Sequence, residues 1–244
     1  MNTMKVEVLL NNKSKIFKKF LLIFFSFLLS NCVYIQGQSM SEKKAEMLQL
    51  LKDRNIKDPK VLLAMAKVPR ENFVSSKFKD QAYEDGPLPI GHGQTISQPY
   101  IVAYMTQELQ LSGKEKVLEI GFGSGYQTAI LAELAGKVYA IEIIKEIYEF
   151  GKKNLESLGY KNILLKLGDG RTGWKHEAPF DCILVAAAPE SLPKELEEQL
   201  KEGGRMVIPL GPTHNQILYT YYKKNDKLQV ENKLPVRFVP LTSR

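Results

Sequence analysis

Apolar and polar residues along this chain follow two different periods. From Met40, the apolar residues Met47, Leu48, Leu50 and Leu51 recur at helical spacing up to Asn55. Val61, Leu62, Leu63, Met65, Ala66 and Val68 repeat the pattern until Pro69 stops it. Both stretches predict packing helices. A third helix is predicted after Pro99, with Ile101, Val102, Tyr104, Met105, Leu109 and Leu111 on its apolar face and Ser112-Gly113 closing it. Beyond it, short apolar runs at 116–120, 137–142, 162–167, 180–185 and 205–210 alternate with helical patterns at 127–135, 144–158 and 192–200. That alternation means βαβ units and a parallel sheet covered on both faces. Residues 216–222 and 228–241 read as closing antiparallel strands. The expected fold is therefore α/β: a doubly wound, mostly parallel, Rossmann-like sheet with antiparallel C-terminal strands and a helical N-terminal cap. Between residues 83 and 99 the pattern breaks into a Gly/Pro-rich connection, read as an irregular lid or binding loop.

The first forty residues follow another logic. Lys13, Lys15, Lys18 and Lys19 precede a ten-residue apolar run at 20–29, and Ser30-Asn31-Cys32 follows. This is the layout of a secretory signal. Leu29-Ser30-Asn31-Cys32 also resembles a loose bacterial lipobox, with Asn31 where Gly or Ala is usual and Cys32 as the lipid carrier. An uncleaved anchor fits the same residues, and so does untranslated upstream sequence, since Met40 offers a start where the globular pattern begins. The expected organisation is an extension at 1–39 and one domain at 40–244.

Composition narrows the classes. Hydrophobic residues are 44% and charged residues 25%, which excludes wholesale disorder. No apolar stretch reaches the ~20 residues that span a bilayer, so a polytopic membrane protein is excluded. Two cysteines, Cys32 and Cys182, exclude a disulfide scaffold, and three scattered histidines lack metal-ligand spacing, so no metal is expected. The net charge of +7 suggests nucleic acid, but residues 1–39 hold five lysines against the single Glu7. That leaves +3 for residues 40–244, with basic and acidic residues interspersed, and no nucleic-acid partner is expected.

Candidate chemistry sits where the predicted strands end. The strand at 116–120 runs into Gly121-Phe122-Gly123-Ser124-Gly125-Tyr126. This is G-x-G-x-G rather than the dinucleotide spacing G-x-G-x-x-G. Glu119 precedes the first glycine by two residues, an awkward place for a charge beside a pyrophosphate but a suitable one for an ammonium and a sulfonium. Glu142 ends the next strand, where a carboxylate can accept both hydroxyls of an adenosine ribose. Asp169, between Gly168 and Gly170, follows the third strand where an adenine edge would lie. Glu119, Gly121, Gly123, Gly125, Glu142, Asp169 and Gly170 together read as a site for S-adenosylmethionine.

With those residues in hand, the chain from Met40 onward closely resembles bacterial protein-L-isoaspartate (D-aspartate) O-methyltransferases. The resemblance runs through Val68-Pro69-Arg70-Glu71-Asn72-Phe73-Val74, the loop Gly91-His92-Gly93-Gln94-Thr95-Ile96-Ser97-Gln98-Pro99, Gly168-Asp169-Gly170 and the ending Val236-Arg237-Phe238-Val239-Pro240-Leu241. It covers about 200 residues. It implies methylation, with S-adenosylmethionine, of the free α-carboxylate of L-isoaspartyl residues in damaged polypeptides, followed by cyclisation to a succinimide. It places Ser97 at the reaction centre and Gln94, Thr95 and Ile96 in the substrate loop. A competing role for Ser97 is to cap the helix after Pro99. His92 reads as a neighbour of the site, His176 and His214 as surface residues, Cys182 as a buried small hydrophobe, and Trp174 as core packing or an adenine neighbour. A methyltransferase for RNA or a small molecule, and a lipidated binding protein without catalysis, use the same fold. Because S-adenosylmethionine is made in the cytoplasm, the expected location is cytoplasmic, with export or anchoring through Cys32 as the alternative. A monomer is expected.

Overall fold

A computed structural model describes residues 38–243. The signal-like stretch and Cys32 lie outside the described residues. The described chain begins with helices α1 (Met40–Asp53) and α2 (Pro59–Lys67). Asp58 caps α2 by accepting the Lys60 N–H, and Pro59 opens it, a residue suited to the first turn.

The connection expected to be irregular contains a hairpin, β1 (Leu88–Gly91) and β2 (Gln94–Ile96), with Leu88 opposite Ile96. Its Gly/Pro content concealed it. Pro89 is tolerated because this two-stranded ribbon leaves edges free, and His92-Gly93 form the turn with φ of 51° and 71°. Helix α3 (Pro99–Glu108) follows.

The main sheet contains β3 (Lys116–Ile120), β4 (Lys137–Glu142), β5 (Ile163–Leu167), β6 (Phe180–Val185), β7 (Leu200–Leu210), β8 (Gln216–Lys224) and β9 (Lys227–Val236). Their order is β5-β4-β3-β6-β7-β8-β9. The first five are parallel, and β8 runs antiparallel to both β7 and β9. Helices α4 (Tyr126–Leu134) and α5 (Lys145–Leu158) follow β3 and β4; α6 (Lys194–Gln199) precedes β7. Val117, Val138, Leu184 and Val207 pack with Met105 and Leu109 of the α3 region and Leu131 of α4. The alternate residues Leu118, Ile141, Ile183 and Met206 pack with Leu196 of α6 on the other face.

Two expected bounds shift. The helix at 192–200 is shorter, because Pro193 precedes it and Leu200–Gly204 already belongs to β7. The last strand ends at Val236 rather than Leu241. Beyond it the tail crosses the strand ends, where the Ala188 N–H donates to the Val239 carbonyl at 2.8 Å and the Leu241 N–H to the Ala188 carbonyl at 2.9 Å.

Candidate active site

Strands β3 and β6 are neighbours in space although β4 and β5 lie between them in sequence. Their carboxyl ends therefore open a crevice at the switch point of the sheet. Gly121 and Gly123 line it, with φ of 81° and 53° that only glycine adopts freely. Gly125 does not line it. It stands at the N-cap of α4, where a Cβ would come within 2.8 Å of the Leu155 side chain. Gly151 of α5 supports the loop from behind, for a Cβ there would meet the Gly123 carbonyl oxygen at 2.3 Å.

Glu142 lines the crevice and is 6% exposed. Its Oε2 accepts the Gly123 N–H at 3.1 Å, and its Oε1 accepts the N–H groups of Ile143 and Ile144 at 2.7 and 3.0 Å. One carboxylate thus fixes the glycine loop against the next strand. Gly170 lines the crevice too and packs so closely on Ile120 that a Cβ would lie 2.3 Å from its Cγ2.

Asp169 and Glu119 stand outside that lining. Asp169 accepts the main-chain N–H of Arg171 at 2.9 Å and its guanidinium at 2.6–3.1 Å. The hydrogen bond from the Arg171 side chain holds its pKa below the usual carboxylate range. Strand alternation puts Glu119 on the face of Val117, beneath α4, where it is fully buried. Neither of its oxygens has a hydrogen-bond partner among the described residues, and the Thr128 hydroxyl beside it is equally unpartnered. Burial pushes its carboxyl up to about 8; the Thr128 hydroxyl, close by but outside hydrogen-bonding geometry, offsets part of the rise, and the nearby Glu142 charge adds to it.

The hairpin closes the crevice from the other side. Gln94 and Thr95 line it, whereas Ile96 turns into the core, 3% exposed. Thr95, Ala186 and Val239 belong both to the crevice and to a second cleft of about 520 Å³ that holds Ser97, Arg54, Tyr100 and Arg237. The two cavities share a wall of three residues.

Ser97 is fixed from inside by Arg70, a fully buried arginine. Its Nη2 donates to the Ser97 carbonyl at 2.7 Å and its Nε to the Ala82 carbonyl at 2.7 Å. The guanidinium carbon lies 4.8 Å from the ring centre of Tyr126, the first residue of α4. Desolvation lowers its pKa to about 10, so it remains charged at neutral pH. Ser97 does not cap α3: the cap residue is Gln98, without a side-chain bond. Asp85 fills that place, its Oδ1 accepting the Tyr100 N–H at 3.2 Å. The other oxygen of Asp85 accepts Arg54 Nη1 at 2.5 Å and Gln98 Nε2 at 2.7 Å.

Sequence reasoning passed over Arg70, Asp85, Gly151 and the tail residue Val239 as parts of the site. The family-like stretch 68–74 pointed at Arg70 without naming a role. The remaining candidates take ordinary places. His92 is exposed at the hairpin turn, His176 is exposed in a single 3-10 turn (Lys175–Glu177), and His214 is exposed in a loop. Cys182 is buried, and burial pushes its thiol up to about 12. Trp174 packs edge-on against Tyr139 at 5.4 Å, beside the core rather than in the crevice.

A glycine backbone open to close approach and a carboxylate acceptor at a strand end fit the ribose and amino-acid portions of an S-adenosylmethionine-type ligand. Comparison with known proteins agrees. The sequence profile of the protein-L-isoaspartate(D-aspartate) O-methyltransferase family matches residues 41–244. The protein-L-isoaspartate O-methyltransferase of Dictyoglomus thermophilum is 56% identical over 199 residues, covering 82% of this chain and 90% of that one. Its counterpart in Opitutus terrae is 51% identical over 203 residues, 83% of this chain and 87% of the other. Among solved structures, a protein-L-isoaspartate O-methyltransferase superposes with a TM-score of 0.75 at 30% identity over 81% of this chain; the match spans 65% of that structure's length. A Plasmodium falciparum protein-L-isoaspartate O-methyltransferase in complex with S-adenosyl-L-homocysteine gives 0.71 at 27% identity, covering 82% of this chain and 98% of that one.

Proposed function

Because the chain belongs to the protein-L-isoaspartate(D-aspartate) O-methyltransferase family, we propose that its two joined cavities divide cofactor from substrate in a protein-repair methyl transfer. The activity is methylation of L-isoaspartyl residues in proteins with S-adenosylmethionine. Bound in the crevice, that cofactor supplies a methyl group on a sulfonium, which leaves as a neutral sulfide and needs no acid. Glu142, Gly121, Gly123 and Gly170 hold it, with Asp169 behind Gly170 and Glu119 behind the strand. The substrate is a free α-carboxylate with pKa ~3.5, ionised at neutral pH, so no general base is required.

What remains for the chain's own residues is positioning. Ser97 donates its hydroxyl to one carboxylate oxygen and turns the other toward the shared wall. Arg237, exposed at the rim of the larger cleft, complements the substrate's negative charge. Thr95, Ala186 and Val239 form the narrow passage where the two reactants meet, and packing there excludes water. The shared wall carries this reading: among the described residues, Thr95, Ala186 and Val239 line both cavities, which is where a group in the crevice would meet a group beside Ser97.

D-Aspartyl residues are accepted in the same cleft, and the methyl ester then closes to the succinimide without further help from the enzyme. Residues 40–244 form the working domain, acting as a monomer in the cytoplasm, where the methyl donor is made. Among the described residues no helix is long and apolar enough to cross a membrane. Two substitutions test the division. Ser97→Ala lowers turnover at saturating cofactor and leaves cofactor affinity near wild type. Glu142→Gln weakens cofactor binding about 10- to 100-fold, as expected for hydrogen bonds to a charged group. Calorimetric titration with steady-state kinetics reads both. Equal effects of the two changes on cofactor affinity would remove the division.

A further inference from the structure

This chain contains two Asp-Gly dipeptides, Asp85-Gly86 and Asp169-Gly170, and both stand at the functional clefts. Gly170 lines the crevice, and Asp85 bonds Gln98 and Tyr100 beside Ser97. Asp-Gly is the pair that most readily turns into an isoaspartyl linkage. The glycine nitrogen attacks the Cγ of the protonated aspartyl carboxyl, a C–N bond forms, a C–O bond breaks, and the hydroxyl leaves as water with the amide proton. Water then opens the succinimide at either carbonyl, restoring the original chain or leaving a β-linkage with a free α-carboxylate. Glycine reacts fastest because no Cβ shields its nitrogen.

Ring closure has two requirements. The peptide nitrogen must eclipse the Cα–Cβ bond, and the carboxyl must be free to turn toward it, preferably protonated. At Asp169 the first fails, since a ψ of 114° places the Gly170 nitrogen on the far side of the Cα–C bond from Cβ. The tight packing of Gly170 on Ile120 opposes rotation. Arg171 occupies both carboxylate oxygens as well.

Asp85 is held differently. Its carboxylate is fixed by side chains distant in sequence, Arg54 at 2.5 Å and Gln98 at 2.7 Å, together with the Tyr100 N–H at 3.2 Å. The nucleophile is engaged too, with the Gly86 N–H donating to the Glu84 carbonyl at 2.8 Å. Apart from its chain neighbours Asp85 and Pro87, nothing among the described residues lies within 4 Å of where a Gly86 Cβ would stand, so tertiary packing adds no restraint there. We propose that Asp85-Gly86 is a latent self-modification site of this chain, kept from closing to the succinimide by the Arg54–Gln98–Tyr100 bonds to Asp85. Once those bonds loosen, the aged segment carries the α-carboxylate that an intact copy methylates. That last step rests on the activity proposed above; the lock does not.

The experiment ages wild-type protein and Arg54→Gln together at neutral pH, digests both, and separates the Asp85 peptide isomers by chromatography with fragmentation mass spectrometry. The digests are then offered to fresh wild-type enzyme with radiolabelled S-adenosylmethionine. The β-linkage at Asp85 is expected to accumulate about fivefold faster in the variant, the scale of one lost ion pair whose arginine is exposed. Asp169 is expected to stay α-linked in both, and label to enter the Asp85 peptide. Equal rates in the two proteins, or β-linkage at Asp169 as fast as at Asp85, would overturn the lock. β-Linkage without label would leave the lock standing and contradict the activity instead. Should Arg54→Gln fail to fold by circular dichroism, Gln98→Ala removes a second bond to the same oxygen and carries the same expectations.

Discussion

The guanidinium of the fully buried Arg70 meets the main-chain carbonyl of the half-buried Ser97 at 2.7 Å, so a charged residue from the end of the helical cap fixes the substrate loop from within. The same side chain holds Ala82, at the start of the hairpin connection, and lies over Tyr126, at the end of the glycine loop. One arginine thereby touches the supports of both cavities.

Replacing Arg70 separates that role from simple packing. Arg70→Met leaves the buried Ala82 carbonyl unpaired, at a cost of about 1–3 kcal/mol, and frees the half-buried Ser97 carbonyl as well; a stability loss of at least that order is expected in urea unfolding. Arg70→Lys keeps the charge but lacks the planar fork that serves two carbonyls. It is expected to lower turnover severalfold while cofactor affinity, measured by calorimetry, stays within twofold of wild type, as order-of-magnitude figures. Turnover unchanged in Arg70→Lys would make the contact structural only.

Glu119 predicts a pH dependence with a definite sign. Burial raises its carboxyl from 4.5 in the unfolded reference to about 8 in the fold. Between those values the native state holds a proton that the unfolded chain has released. The contribution of this group to stability is therefore full below pH 4.5, falls as pH rises toward 8, and is flat above. The slope of one such group is at most ~1.4 kcal/mol per pH unit. Glu119→Gln, which cannot ionise, is expected to flatten this part of the profile in denaturant unfolding series across the window. An identical slope in wild type and variant would show that Glu119 ionises freely in the fold.

Gly151 predicts an effect on binding from outside the crevice. Alanine is favoured over glycine in a helix by ~1 kcal/mol, so Gly151→Ala helps α5 locally. Its Cβ, however, would stand 2.3 Å from the Gly123 carbonyl oxygen and 2.7 Å from the Phe122 ring. Relieving that overlap moves the glycine loop, and overpacking of this kind costs ~1–3 kcal/mol. A loss of S-adenosylmethionine affinity of tenfold or more is expected in calorimetric titration. Wild-type affinity would mean that the loop shifts without disturbing the crevice.

Much of this architecture was legible in the chain. Runs such as Val117-Leu118-Glu119-Ile120, bounded by polar and glycine-rich turns, matched β3, and the runs at 137–142 and 180–185 matched β4 and β6. Glu142 was placed at a strand end because the alternation of strands and helices determines which residues face the crevice. Other features depended on tertiary packing that no local pattern carries. Gly151 reads in sequence as a mere flaw in a helix, and only the approach of Gly123 gives it a reason. Arg70 reads as a charge between two helices, while its burial is set by two carbonyls 12 and 27 residues away. The hairpin was hidden by Pro89 and by three glycines. The cap of α3 comes from Asp85, 15 residues before Tyr100, so a search for a local capping serine settles on the wrong residue.

The central claim is that the larger cleft presents an α-carboxylate from an isoaspartyl linkage to the methyl donor in the crevice. It is tested most directly with paired peptides of one sequence, carrying either L-isoaspartate or ordinary L-aspartate at a single position, and radiolabelled S-adenosylmethionine. The methyl ester formed by the wild-type protein is hydrolysed in base, and the labelled methanol it releases is counted. The account predicts transfer to the isoaspartyl peptide and none above background to the aspartyl peptide. Equal labelling of the two peptides, or no labelling of either, would contradict it.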